Sequence, residues 1–247
     1  MARADQLLVE SGLAASRTAA QRLIAAGRVS WPGGIVKKPA LDLPSETTLT
    51  VQSDPEDRFV SRGGLKLAGA LTETGISVGN KHCLDVGQST GGFSDCLLQA
   101  GAGHVVGVDV GHGQLSRRLF GEARLTAIEG INCRNLTAAD LGEHFPASGF
   151  DLIVGDVSFI SMTLILPQLP ALLADQGDIL VLVKPQFEVG PENIGKGGIV
   201  RDPALYGEVE GKLRKTAQNL GLTVRQWLDS PITGGDGNRE FFIWLKK

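Results

Sequence analysis

The chain has 247 residues, 42% of them hydrophobic, so it is long enough for one large domain or for a small and a larger one. Its longest apolar stretch, 164–174, is interrupted by two prolines and a glutamine and is too short to span a bilayer. Three scattered cysteines and four histidines without ligand spacing indicate neither a disulfide framework nor a metal site. Because no charged-then-apolar leader opens the sequence, we expect a cytoplasmic protein that does not enter a membrane.

The net charge of −3 gives the whole molecule no attraction for a polyanion. The charge is unevenly distributed, because residues 1–50 hold six basic and four acidic side chains, a net of +2. The remainder holds 18 basic and 23 acidic side chains, a net of −5. A nucleic acid would therefore have to be bound by a local basic patch.

Residues 1–52 predict a small α+β domain. Helical spacing of apolar residues covers 2–12 and 16–27, and Ser16 stands where a helix N-cap is expected. Short alternating segments, which predict strands, follow at 29–31, 35–37 and 47–51. The polar stretch 53–61 then predicts a linker.

Residues 62–247 predict an α/β domain that opens with a helix at 65–74. A series of strands that alternate with helices is predicted from here on, with the strands at 82–86, 104–109, 125–129, 150–155, 178–184, 222–228 and 240–246. Between them, helices are predicted at 91–100, 115–120, 136–142, 160–174 and 203–220. Such alternation indicates a parallel sheet covered on both faces, but residues 230–239 leave room only for a hairpin, which makes the last strand antiparallel. The predicted fold class is a Rossmann-like, seven-stranded methyltransferase sheet.

A glycine-rich turn after the first of these strands is the strongest signal for a ligand. The strand ends in Asp85, and the next strand ends in Asp109, an acid placed to accept hydrogen bonds from ribose hydroxyls. Ser89 stands where the dinucleotide pattern G-x-G-x-x-G requires glycine. Asp85 would repel a pyrophosphate but suits a cationic methionine group, so we predict S-adenosylmethionine as the cofactor; the alternative is a packing turn. The residues assigned to cofactor binding here are Asp85, Gly87, Ser89, Gly91, Gly92, Phe93 and Asp109.

Three ionisable residues meet at the carboxyl edge of the predicted sheet, where open α/β sheets bind ligands. Asp156 follows the fourth strand, Lys184 ends the fifth, and Glu240 begins the reversed last strand. Methyl transfer to an oxygen requires alignment of the reacting atoms and removal of a proton, which such groups provide. Each also has a structural alternative, as a helix cap, a solvated strand end and an edge-strand charge respectively.

The sequence also favours an oxygen as the methyl acceptor. No proline pair precedes Phe159, which argues against methylation of a base amino group, and no cysteine follows a proline, which argues against methylation of a cytosine carbon. The glycine-rich stretch 195–198 lacks the P-loop pattern and predicts a substrate-side loop, with Arg201 available to a phosphate.

The motifs, taken in order, resemble those of the TlyA family, which also bears the name haemolysin A and is related to the FtsJ-type ribose methyltransferases. They are VSRGGLKL at 60–67, DVGQSTGGF at 85–93, VDVGHGQL at 108–115, DVSFIS at 156–161, VKPQFE at 183–188 and GNRE at 237–240. The first fifty residues resemble the alpha-L RNA-binding module of a small-subunit ribosomal protein. The resemblance implies 2′-O-methylation of cytidine in ribosomal RNA, either free or within a ribosomal subunit. Gln88 replaces a small residue that is usual in the turn, which predicts a narrower cofactor site.

Roles for the site residues follow from these observations and the resemblance. We hypothesise that Lys184, between Asp156 and Glu240, orients or deprotonates the 2′-hydroxyl, because burial and a nearby Lys66 favour its neutral amine. The resemblance adds Lys66 as an anchor for the ribose or a neighbouring phosphate, and Asn132 as a cofactor contact. The residues expected to bind RNA are Arg3, Ser16, Arg17, Lys37, Lys38 and Arg62.

Two other functions remain open at this point. One is a non-catalytic RNA-binding or ribosome-assembly factor that keeps the methyltransferase fold, against which the four ionisable positions argue. The other is a membrane-lytic protein, as the name haemolysin suggests, against which the lack of a basic amphipathic or spanning segment argues. The chain ends soon after its last strand, which in the family goes with modification of large-subunit RNA. The sequence predicts neither the target nucleotide nor the oligomeric state.

Overall fold

The computed structural model describes residues 1–14, 16–52 and 55–247. The chain divides into two compact units, residues 1–58 and 59–247. Ser53 and Asp54, in the segment predicted as a linker, lie outside the described residues. Each unit has its own apolar core.

The first unit packs two short helices against small antiparallel sheets. Helices α1 (Ala4–Glu10) and α2 (Arg17–Ala25) bury one side each, and the Ser16 hydroxyl caps α2 by accepting from the Ala19 N–H at 3.2 Å, as predicted. The strands are β1 (Ala2–Arg3), β2 (Val29–Trp31), β3 (Gly34–Ile35), β4 (Asp42–Leu43) and β5 (Thr50–Val51). Strand β2 pairs with β3 and β5, and β1 pairs with β4. The sequence missed β1 and β4 because two-residue pairings show no periodicity.

The second unit is built on a mixed sheet of seven strands within the described residues. They are β6 (His82–Val86), β7 (His104–Asp109), β8 (Leu125–Glu129), β9 (Phe150–Gly155), β10 (Leu173–Val183), β11 (Thr223–Asp229) and β12 (Phe241–Lys246). Their order across the sheet is β11-β12-β10-β9-β6-β7-β8, and β12 runs antiparallel to both of its neighbours. The predicted fold class is therefore confirmed, including the reversed last strand.

The helices of the second unit match the prediction less closely. The observed helices are α3 (Gly63–Thr74), α4 (Gly92–Gln99), α5 (Ala138–Leu141) and α6 (Leu205–Asn219). The prediction of a helix at 160–174 was wrong, because 3-10 turns occupy Met162–Leu164 and Leu166–Ala171. Pro167 and Pro170 lack the N–H groups that an α-helix needs. The helix predicted at 115–120 is a single 3-10 turn, Arg117–Leu119. Among the described residues, no helix is both long and apolar enough to cross a membrane.

Both faces of this sheet are buried, so the polar side chains that could take part in chemistry lie where the strands end. In β6, Cys83 packs into one apolar cluster with α3 and α4, whereas Leu84 packs into the other with α6. Such two-sided burial accounts for the nearly continuous apolar runs of the central strands. The five adjacent parallel strands, β6 to β10, end together at one edge, and β12 begins at the same edge with Phe241. The side chains that follow those strand ends form the site.

Candidate active site

The turn after β6 passes close to the loop after β9. Gly87 has a φ of +83°, and a Cβ at this position would lie 3.0 Å from the carbonyl oxygen of Asp156. The Ser89 N–H donates to Oδ2 of Asp109 at 2.8 Å, and the Gly111 N–H donates to its Oδ1 at 2.7 Å. The acid at the end of β7 is thus fixed by backbone groups on both sides.

A cavity of about 500 Å³, here named the Asp109 crevice, opens beside this turn. Its polar lining includes Ser89, Asp109 and Asn132, and its apolar lining includes Val157 and Ile165. Each oxygen of Asp109 has two lone pairs, so this carboxylate can hold the backbone and still accept from two ribose hydroxyls. The size, the acid and the close backbone fit a nucleoside cofactor such as S-adenosylmethionine.

Gln88 does not line this crevice but lines a neighbouring cavity, so the expected narrowing of the cofactor site is not seen in the crevice itself. The side chain is 6% exposed, and its Nε2 donates to Oγ of Ser94 at 2.8 Å. Its amide occupies the space above Gly107 on β7, where any Cβ would collide with it. A large residue in the turn is therefore accommodated by a glycine on the neighbouring strand.

Asp85 does not face the crevice either. Its side chain is fully buried, and its Oδ2 accepts a hydrogen bond from Oγ of Ser94 at 2.7 Å. Its Oδ1 has no hydrogen-bond partner among the described residues. Burial raises the pKa of the Asp85 carboxyl to about 7; the Ser94 bond opposes this rise, and Asp156 and Asp109 add to it. The expected contact with a cationic methionine group is not met in this structure, because the carboxyl is enclosed.

The remaining turn residues separate into packing and lining positions. Gly91 is a packing glycine, since a Cβ there would lie 2.5 Å from the side chain of Leu119. Gly92 and Phe93 line a second cavity of about 270 Å³, here named the Lys184 cavity. The Phe93 ring stacks against Phe242 with ring centroids 6.1 Å apart, which anchors the start of α4 on the sheet.

Two lysine–carboxylate pairs stand at the edge of the sheet. Nζ of Lys184 lies 2.6 Å from Oδ1 of Asp156 and donates to Oγ of Ser158 at 2.7 Å. Nζ of Lys66 on α3 lies 2.6 Å from Oε2 of Glu240, and both of these side chains are buried. The expected placement of Lys184 between two carboxylates was therefore wrong, because α3 brings Lys66 to Glu240 instead.

The two pairs lie where three cavities adjoin. Lys66 and Lys184 line both the Lys184 cavity and a third cavity of about 350 Å³, here named the Glu240 cavity. Ser158 lines all three cavities, including the Asp109 crevice. A group bound in the crevice and a group bound in the Glu240 cavity would thus meet beside Lys184 and Asp156.

Phe159 belongs to this site although the sequence reading gave it no role. It is 90% exposed, its φ is +64°, and it lines both the Asp109 crevice and the Glu240 cavity. Its ring centroid lies 5.3 Å from that of Phe187. A bulky residue in the left-handed region is strained, and such strain concentrates at functional sites. The sequence signal that could have identified Phe159 is that an aromatic residue stands three positions after Asp156.

The loop predicted to lie on the substrate side borders the Glu240 cavity through Gly198. The buried Asn238 holds this loop, because its amide donates to the Gly198 carbonyl at 2.9 Å and accepts from the Val200 N–H at 3.1 Å. Arg201 is exposed, and its contact with a phosphate stays a prediction.

The residues expected to bind RNA are distributed over both units, each of which is described by itself. In the first unit, Arg3 and Arg17 converge on Asp5, and Ser16 is the N-cap of α2. Lys37 and Lys38 are exposed. In the second unit, Arg62 is exposed and lines the Lys184 cavity.

Comparisons with known proteins agree with this architecture. Residues 59–247 match the FtsJ-like methyltransferase family, and residues 2–48 match the S4 domain. The 16S/23S rRNA (cytidine-2′-O)-methyltransferase TlyA of Mycobacterium tuberculosis is 44% identical over 245 residues, which are 99% of this chain and 90% of that protein. Hemolysin A of Brachyspira hyodysenteriae is 38% identical over 239 residues, 97% of each chain. A solved structure from Streptococcus thermophilus is 40% identical, with a TM-score of 0.76, and covers 100% of this chain and 88% of that one.

Proposed function

The chain belongs to the TlyA family of FtsJ-like methyltransferases, and from this premise we propose that it methylates the ribose 2′-oxygen of a cytidine in ribosomal RNA, using S-adenosylmethionine. The relative from Mycobacterium tuberculosis carries this activity in its name. The S4 domain at residues 2–48 supports an RNA substrate. We infer that the reaction takes place in the cytoplasm, because the proposed substrate is ribosomal RNA.

One observation carries the proposal: both lysine–carboxylate pairs lie where the Asp109 crevice adjoins two further cavities. When bound, S-adenosylmethionine supplies a methyl group that its positively charged sulfur has already activated. Asp109 and Asn132 are positioned for its nucleoside, and Gly87, which also lines the crevice, presents only backbone atoms to it. The protein therefore has to align the acceptor oxygen and accept the proton that leaves it.

Lys184 is the residue that manages the proton. In the proposed step the ribose 2′-hydroxyl passes its proton to Nζ of Lys184 as its oxygen takes up the methyl group; a lysine that has first released its own proton to solvent can accept it. The Asp156 carboxylate, 2.6 Å from Nζ, stabilises the ammonium that results. Charge balances, because one positive charge disappears from the donor and one appears on the lysine. Ser158, the other partner of Nζ, keeps the amine directed along the cavities.

The second pair and the exposed aromatic hold the substrate. Lys66, itself held by Glu240, is placed to anchor the ribose or an adjacent phosphate from the Glu240 cavity. Phe159 presents a ring face at the border of that cavity, where a nucleobase lifted out of its stack would need a partner. Nucleobase stacking on an aromatic ring is a common way to hold an unpaired RNA base.

The test is transfer of radiolabelled methyl groups to ribosomal RNA by the wild type and by two variants, Lys184→Ala and Lys184→Arg. Lys184→Ala should reduce turnover by about a thousandfold or more and leave cofactor affinity within about twofold. Lys184→Arg keeps the positive charge but cannot serve as a base, so it should be as inactive as the alanine variant. Lys81→Ala is the matched control, because Lys81 pairs with Asp178 at 3.6 Å and precedes β6 at the opposite sheet edge.

The outcomes separate the possible failures. Turnover near that of the wild type in Lys184→Ala would remove Lys184 from the mechanism and leave the function standing. Substantial activity in Lys184→Arg would mean that the lysine orients the hydroxyl and does not deprotonate it. A wild-type protein that binds ribosomal RNA but transfers no methyl group to free RNA or to ribosomal subunits would be a non-catalytic RNA-binding factor.

A further inference from the structure

Asp5 is a buried acid on which two arginines of the first unit converge. Its side chain is fully buried, and its carboxylate accepts four hydrogen bonds. Nε and Nη2 of Arg3 donate at 3.0 and 3.1 Å, Nη2 of Arg17 at 3.1 Å, and Nε2 of Gln21 at 3.1 Å. The carboxylate thus links β1, α1 and α2 through their polar side chains.

We propose that Asp5 is a positioning residue that holds Arg3 and Arg17 as one fixed pair, which binds an RNA phosphodiester. This inference rests on the proposed function, because it takes ribosomal RNA as the substrate. Because Asp5 is acidic, a search for basic residues in an RNA-binding domain does not select it.

The hydrogen bonds leave both arginines able to bind. A guanidinium has five N–H donors; Arg3 gives two of them to Asp5, and Arg17 gives one. The two side chains remain 39% and 54% exposed. Two cations around one anion leave a net charge of +1, and the remaining N–H groups suit phosphate oxygens.

A fixed pair binds more tightly than two free side chains with the same charge. Arginine has large rotamer freedom, and a partner that immobilises it must offset that loss on every binding event. Asp5 fixes the side chains before RNA arrives. The Arg3 hydrogen bond also holds the pKa of the Asp5 carboxyl well below its usual range, so the acid stays ionised under any assay condition near neutral pH.

Replacement of Asp5 by asparagine separates positioning from charge. Asp5→Asn removes a negative charge beside the RNA site, so electrostatics alone would strengthen RNA binding and steepen its dependence on salt. Positioning makes the opposite prediction: about tenfold weaker binding and a higher KM for RNA, with kcat and cofactor affinity unchanged. The direction of the change therefore decides between the two.

The chain offers a matched control in Asp42. Asp42 is exposed, lies on β4, and is the register partner of Arg3 across the β1–β4 pair. Asp42→Asn makes the same change in net charge near Arg3, and we expect unchanged or tighter RNA binding. A second variant, Gln21→Leu, removes the neutral donor to Asp5 and should weaken binding about twofold in the same assay.

The experiment measures binding and methylation of deproteinised ribosomal RNA and of ribosomal subunits by these variants, each in the wild-type background and in an Arg3→Ala/Arg17→Ala background. If Asp5 acts through the arginines, Asp5→Asn should have no effect on RNA binding once both are gone. A purely structural role would instead lower the melting temperature and RNA affinity in both backgrounds. Equal or tighter RNA binding by Asp5→Asn alone would overturn the inference, whereas a wild type that does not methylate RNA would overturn the proposed function.

Discussion

Asp5 in the first unit and Asp85 in the second are both fully buried aspartates, but their surroundings differ in charge. Asp5 accepts from two arginines and a glutamine, and the Arg3 bond lowers its pKa. Asp85 accepts a hydrogen bond from the neutral hydroxyl of Ser94, and burial raises its pKa to about 7. A solvent-inaccessible side chain therefore does not by itself decide whether an acid is ionised; Asp85 lies far deeper than Asp5, and the donors around the two carboxyls differ.

The two acids also differ in what they do for stability. An ionised carboxylate with cationic partners strengthens the fold, whereas one that is buried beside other carboxylates weakens it. Asp85 sits behind the cofactor turn in a chain of polar groups that runs from Gln88 through Ser94. We infer that the Asp85 carboxyl is kept despite its cost in stability, because these hydrogen-bonded polar groups shape the turn.

The largest expected effect is the dependence of stability on pH that Asp85 introduces. The folded-state pKa of about 7 exceeds the unfolded value of about 3.9, so the folded protein holds the proton more tightly. The stability that the Asp85 proton contributes should then be fully present below about pH 4 and be lost as the pH rises through about 7. Between pH 5 and pH 8 the wild type should lose about 2–3 kcal/mol relative to Asp85→Asn. Urea unfolding, followed by the fluorescence of Trp227 and Trp244, measures this difference.

Two observations would contradict this account of Asp85 as an enclosed acid with a raised pKa. Parallel pH curves for the wild type and Asp85→Asn would mean that the buried carboxyl keeps an ordinary pKa. A large loss of S-adenosylmethionine affinity in Asp85→Asn, without a change in the turn, would restore the direct cofactor role that the sequence suggested.

A smaller effect is expected from Gly107→Ala, which tests the polar chain above Asp85. The new methyl group would collide with the Gln88 amide and should destabilise the second unit by about 2 kcal/mol. Adding Gln88→Ala to this variant removes the collision, so the double variant should be more stable than Gly107→Ala alone. Additive losses in a double-mutant cycle would mean that Gln88 and Gly107 are not packed together.

The smallest effect concerns the stability that Asp5 contributes on the acid side. Its pKa is lowered in the folded state, so its contribution is present above about pH 4 and is lost as the pH falls through the folded value. Because its arginine partners are partly solvated, we expect only about 1 kcal/mol. Unfolding monitored by Trp31 should show the wild type, but not Asp5→Asn, losing stability between pH 5 and pH 3. The same acid sensitivity in both proteins would contradict the prediction.

The sequence predicted the strands of the second unit better than its helices. Strands such as β7 are apolar on both faces and bounded by turn residues, so their length and type are visible locally. The segment 160–174 is apolar in much the same way, but its prolines forbid an α-helix, and 3-10 turns satisfy its backbone instead. Topology placed Asp156, Lys184 and Glu240 at one edge without any knowledge of side-chain positions.

What the sequence could not predict is which side chains pair. Lys66 reaches Glu240 because α3 packs on the sheet, and Gln88 turns away from the crevice because Gly107, 19 positions later, leaves space. Both contacts depend on where an element of one layer lies over another. Phe159 shows the same dependence, since its exposure and left-handed backbone are properties of the folded loop.

The sequence by itself determined the family, the sheet with its reversed last strand, and the set of ionisable residues at the sheet edge. These features depend on periodicity, on connection length and on motif order, all of which are local or sequential. Only the tertiary structure decided that Lys184 pairs with Asp156 and Lys66 with Glu240, that Asp85 is enclosed, and that Asp5 holds two arginines. Those outcomes depend on distances of a few ångströms between residues far apart in the chain, which packing sets and periodicity does not record.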